Sequence, residues 1–90
     1  MRLVWRALAL KDRELIMEHI EAANPDAAIA LDETFEGKAK QAQQTPMLYK
    51  AGRFPGTHEI VVSPNYVMIY RVTNDSVEFI RVLHSRQQWP

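Results

Sequence analysis

Cysteine is absent from the 90 residues, which excludes disulfides, thiolate metal sites and cysteine nucleophiles. Glycine is scarce, at three residues, and no apolar run approaches the roughly 20 residues that a membrane span requires. Met1-Arg2-Leu3-Val4-Trp5-Arg6 carries a second charge where a signal peptide needs an unbroken apolar region. A soluble, cytoplasmic protein without a membrane partner is expected. The three histidines, His19, His58 and His84, lack the i,i+4 or short-loop spacing of a metal site, so no metal and no cofactor are expected. The length suits one domain over residues 1–90 and leaves no room for two.

Charge is plentiful but segregated. Residues 1–37 hold eight acids against four bases, a balance of −4, and residues 38–90 hold seven bases against three acids, a balance of +4. The net charge of zero therefore hides a basic second half, which suits an anionic partner such as nucleic acid or an acidic protein surface.

Apolar periodicity divides the chain. Residues 2–6 read as a short strand, with Leu3, Val4 and Trp5 suited to a pleated surface. Residues 8–22 read as a helix whose inner stripe is Leu8, Leu15, Ile16, His19 and Ile20. Asn24-Pro25 ends it and starts another, with Asn24 as N-cap and Pro25 at the first helical position. That second helix runs to Gln43 or Gln44 and carries a stripe of Ala28, Leu31, Phe35, Ala39 and Ala42, small enough for close packing in an antiparallel hairpin. Thr45–Gly56 is a loop. Beyond it the period changes to two, and His58–Ser63, Tyr66–Thr73 and Val77–His84 read as three strands. Their short connections force an antiparallel meander. The prediction is an α+β fold of strand, helix hairpin and three-stranded meander, with both helices on one face of the sheet and the other face open.

The second half also carries a recognisable pattern. Arg53-Phe54-Pro55-Gly56-Thr57-His58-Glu59, Pro64-Asn65-Tyr66, Ile69-Tyr70-Arg71-Val72 and Arg81-Val82-Leu83-His84-Ser85-Arg86-Gln87-Gln88-Trp89 together resemble the RelE/ParE superfamily of toxins, above all its ParE, or plasmid-stabilisation, branch. The resemblance implies a toxin neutralised by a co-expressed antitoxin, with operator DNA contacted only through that complex. It also implies a choice of target, because ParE-like members poison DNA gyrase whereas RelE-like members cleave messenger RNA on the ribosome. A shared fold does not make that choice.

RNA cleavage needs a base for the 2′-hydroxyl, an acid for the leaving oxygen and cations for the phosphate. Candidates for such a ribonuclease are His84, His58 and Arg71, with Arg53 and Arg86 as further phosphate ligands. The resemblance works against it, since RelE-like members set several basic residues on the central strands, whereas His58–Ser63 is nearly apolar and Arg71 is the only charge of its strand. His58 also stands where relatives often carry arginine. Strict alternation puts Arg81 and His84 on opposite faces, leaving His84 free to meet Arg53 or Arg71, or simply to cap its strand. His19 reads as packing, and Tyr70 as core.

The target-binding set is therefore Arg53, Arg71, His84, Arg86 and Trp89, with Arg86 and Trp89 on the exposed tail because these residue types dominate binding hot spots. Trp89 folding back over the sheet is the alternative. Three functions follow: a gyrase poison acting by binding rather than as an enzyme, a ribosome-dependent endoribonuclease, and a non-toxic antitoxin-binding domain. All three predict an antitoxin that lays a helix in the hairpin groove or adds a strand to an open edge.

Overall fold

A computed structural model describes all residues, 1–90. The order is β1 (Arg2–Trp5), α1 (Ala7–Glu21), α2 (Pro25–Gln44), β2 (His58–Ser63), β3 (Tyr66–Val72) and β4 (Ser76–His84). The strands lie in the order β1-β4-β3-β2. The meander β2-β3-β4 is antiparallel, and β1 joins β4 in parallel, with the helix hairpin as the crossover a parallel pair requires. No helix is long and apolar enough to cross a membrane.

Asn24 caps α2 as its sequence predicts. Its side chain accepts from the Ala27 N–H at 3.1 Å, and Pro25 stands at the start of the helix. Ala28, Phe35, Ala39 and Ala42 are buried, so the small-residue stripe lets α2 lie close to the sheet. Phe35 meets Met68, Tyr70, Val77, Phe79 and Val82 in the main core.

α1 departs from its predicted stripe. Ala9 and Arg13 are its buried residues, whereas Leu8 and Leu15 are 62% and 51% exposed, and His19 is exposed rather than packed. Arg13 causes the difference. Its guanidinium reaches Glu36 at 2.7 Å and Asp32 at 2.9 Å and lies 4.4 Å from the Trp5 ring centre, so an arginine occupies the seam that periodicity reserves for an apolar residue. Paired and stacked on both sides, its charge tolerates the site.

β4 departs from strict alternation as well. Ile69 pairs with Arg81 and Tyr70 with Phe79, leaving Ile80 as a bulge. Val77, Phe79 and Val82 consequently all join the helix-side core, while Leu83 joins Val67 and Ile69 in a smaller cluster on the outer face, with Ile80 packed against it. β1 ends opposite Phe79, so the β4 edge beyond is bare. Asp12 of α1 closes it, accepting the Val82 N–H at 2.9 Å and the Arg81 guanidinium at 2.8 and 2.9 Å. Arg81, opposite Ile69, and His84, opposite Tyr66, leave the strand on opposite faces as alternation predicts. The Arg81 side chain reaches round the β4 edge to Asp12, where it and His84 both line a groove with Leu15, Ile16 and His19 of α1.

Candidate functional site on the outer sheet face

The outer face carries the small cluster of Val67, Ile69 and Leu83, with Trp89 of the C-terminal tail packed against it and Phe54, near the end of the Thr45–Gly56 loop, beside Trp89. Turn chemistry shapes the loop. Gly56 adopts φ +82°, a left-handed value that suits glycine, and Thr57 Oγ1 donates to the Phe54 carbonyl at 2.6 Å. A Cβ on Gly52 would run into Thr57 Oγ1, so glycine is required there for space.

Glu59, nearly buried on β2, fixes the loop to the sheet. Its carboxylate accepts from the Arg53 backbone N–H at 2.7 Å, from Nε at 2.9 Å and from Nη2 at 3.2 Å. The hydrogen bonds from Arg53 hold the Glu59 carboxyl below its ordinary range, against the opposing effect of burial, and the Arg53 guanidinium is raised in turn. Arg53 is thus a loop anchor whose guanidinium is paired with Glu59 rather than free.

So anchored, the loop presents Phe54, 45% exposed, edge-to-face against Trp89 with ring centres 5.8 Å apart. Trp89 is half-buried against the outer cluster, so the tail does not stand clear of the sheet: of its two possible placements, the fold-back is adopted. The tail is also tied by the Arg53 Nη1 donor to the Gln87 carbonyl at 3.3 Å. Trp89 separates two cavities of about 320 and 150 Å³, both bounded by Arg71 and Ile80. Arg71 is exposed and forms no ion pair, because its cross-strand neighbour Glu78 is taken by Arg6 at 3.0 Å. Arg86 is exposed too, and only its backbone N–H is engaged, donating to His84 Nδ1 at 3.2 Å.

The histidines sit elsewhere. His58 stacks on the buried Tyr70 with ring centres 5.1 Å apart, and its Nδ1 lies 3.0 Å from the Tyr49 carbonyl oxygen. Tyr70 itself is core, its hydroxyl donating to the Pro46 carbonyl at 2.6 Å and pushed by burial up to about 12. His84 touches the Tyr66 ring and lines the groove against α1. Tyr66 and Tyr70 share the helix-side face of β3, so both histidines lie on that side, and neither meets Arg53 or Arg71.

The sequence matches, over residues 3–89, the family described as the ParE toxin of the type II toxin–antitoxin system parDE. This chain belongs to the ParE toxin family. A relative, the candidate toxin Y4kP of Sinorhizobium fredii, is 32% identical over 90 residues, spanning 99% of this chain and 93% of its own. Among solved structures, a chain of the chromosomal ParDE TA system from P. aeruginosa superposes with a TM-score of 0.83 at 19% identity, covering 93% of this chain and 95% of that one. A YoeB/ParE toxin from Agrobacterium tumefaciens gives 0.69 at 18% identity, covering 93% and 98%.

Within this ParE-family fold, the expected site residues divide into three groups. Arg71 and Trp89 come together with Phe54 and Ile80 on the outer face, and Arg86 stays exposed on the adjoining tail. Arg53 is paired with Glu59 at the base of the loop and remains partly exposed. His58 and His84 belong to the other face. Phe54 and Ile80 were not singled out by sequence. The Pro55-Gly56-Thr57 turn was a signal for the first, and alternation from the core residue Phe79 was a signal for the second, since it sets Ile80 on the outer face.

Proposed function

We propose that this toxin acts by binding, with DNA gyrase as its target and the outer sheet face around Arg71 and Trp89 as the contact surface. The observation that carries this reading is the separation of the available chemistry between two faces. A ribonuclease needs its proton carriers and its phosphate-binding cations around one scissile bond, within hydrogen-bond reach of it. Here His58 and His84 lie on the helix side, and the unpaired Arg71 lies on the outer side. Two of the remaining arginines, Arg53 and Arg81, are neutralised by Glu59 and Asp12. What is left is an aromatic and aliphatic surface with free arginines at its margin, the composition of a protein-binding hot spot. Membership of the ParE family supports gyrase as the protein bound, and membership of a two-component system supports a cognate antitoxin as neutralising partner.

Purified toxin added to gyrase and relaxed plasmid should inhibit supercoiling and accumulate cleaved DNA. Arg71→Glu should reduce that inhibition at least tenfold, while thermal unfolding stays near that of the unaltered chain because the side chain is exposed. Full supercoiling activity at saturating toxin, together with codon-phased cutting of messenger RNA in induced cells, would replace this reading by the ribonuclease one.

A further inference from the structure

The larger of the two cavities beside Trp89 has a composition that selects its occupant. Leu8, Ile80 and Trp89 wall a space of about 320 Å³, and Arg6, Arg71 and Arg81 bring cations to it. Two of those cations are already compensated. Arg6 lies 3.0 Å from Glu78 and Arg81 lies 2.8 Å from Asp12, and both carboxylates are largely shielded from water. Arg71 is left over. Its cross-strand neighbour is Glu78, which Arg6 has taken, and the first turn of α1 brings no carboxylate to the cavity. One unmatched guanidinium therefore stands beside an apolar wall in which Leu8 is 62% exposed.

We infer that this cavity receives a carboxylate side chain of gyrase together with an apolar neighbour of that residue, the carboxylate on the Arg71 fork and the neighbour against Leu8, Ile80 and Trp89. The inference rests on the proposed target and names the chemistry that the outer face recognises there. A guanidinium takes a carboxylate through two parallel N–H donors, which fixes orientation as well as charge. The apolar walls gain from being covered by the neighbouring side chain. A phosphate of the DNA that gyrase holds is the alternative anion, and the cavity suits it less. A nucleic-acid backbone is gripped by several uncompensated cations in a row, whereas the two other arginines of this cavity are already neutralised. Concave shape and a single free charge fit one acidic residue of a protein.

The test measures inhibition of purified gyrase on relaxed plasmid and, separately, toxin binding to the same plasmid without gyrase. Leu8→Glu places a carboxylate of the toxin itself at the cavity, where it competes for Arg71. The side chain is exposed and an acid in the first turn suits the helix dipole, so the thermal midpoint should not fall. Inhibition by this variant should weaken at least tenfold. Leu15→Glu makes the same change of charge at an exposed position farther along α1 and outside the cavity, and should inhibit within twofold of the unaltered chain. Inhibition by Leu8→Glu within twofold of the unaltered chain would overturn the inference while leaving gyrase as the target. Equal weakening by the two variants would overturn it as well, because net charge would then be the cause. So would plasmid binding without gyrase that Leu8→Glu abolishes, which would assign Arg71 to phosphate. Self-association that Leu8→Glu abolishes, with inhibition unchanged, would give the cavity to a second copy of this chain. Full gyrase activity at saturating unaltered toxin would overturn the target and this inference together.

Discussion

Glu59 and Asp12 act alike at two places on the sheet. Each carboxylate accepts a backbone N–H and holds an arginine fork, which ties a loop to β2 in one case and a helix to the bare edge of β4 in the other. Neither pairing was legible in the sequence, where Asp12 and Arg81 stand 69 residues apart and Arg53 reads as a free cation of a basic loop. Glu59→Gln should destabilise the fold by about 1–2 kcal/mol, toward the low end for a charged hydrogen bond because the Arg53 side chain is partly in water. The sign of its pH dependence follows from the lowered carboxyl. A folded-state value below the unfolded one means that the stabilisation is complete above the ordinary glutamate range and is lost as pH falls through and below it. Urea unfolding at falling pH should therefore show the unaltered chain and Glu59→Gln converging in stability. Asp12→Ala orphans both the Val82 N–H and a partly buried guanidinium, and about 2–3 kcal/mol of lost stability is expected in the same measurement.

At the scale of elements, legibility followed how local the cause was. The Asn24-Pro25 start of α2, its alanine stripe and the alternation of β3 are set by neighbouring residues, and all three appear as the pattern predicts. The face that α1 buries is decided by Asp32 and Glu36 on another helix, which draw Arg13 into the seam and turn Leu8 and Leu15 outward. The Ile80 bulge is likewise decided by pairing with β3, and one extra residue was enough to put Phe79 and Val82, three apart, on the same helix-side face. If Arg13 sets the orientation of α1, Arg13→Ala should lower stability by about 2–4 kcal/mol, having removed two ion pairs and the stacking on Trp5. Arg13→Met should recover at least half of that loss by filling the seam, as judged by the urea midpoint. Equal losses in the two variants would mean that the charge, not the packing, holds the helix in place.

The whole molecule is polarised, with free carboxylates on the helix hairpin and free arginines on the open sheet side and tail. Leu8, Leu15, Ile29, Met47, Leu48, Phe54 and Val61 are all at least 45% exposed, apolar surface that a wrapping antitoxin would cover in part. The free chain should therefore aggregate at concentrations where the antitoxin complex stays soluble, which size-exclusion chromatography of the two preparations would reveal. The central claim is that toxicity resides in binding by the outer face rather than in acid–base chemistry. It is tested most directly by inducing, without antitoxin, the unaltered chain, the Arg71→Glu variant and a chain carrying both His58→Ala and His84→Ala, and by scoring chromosomal DNA breaks. The account predicts breaks from the unaltered chain and from the double histidine variant, and none from Arg71→Glu. Growth arrest without DNA breaks that disappears when the histidines are replaced, in a chain that still folds, would contradict it.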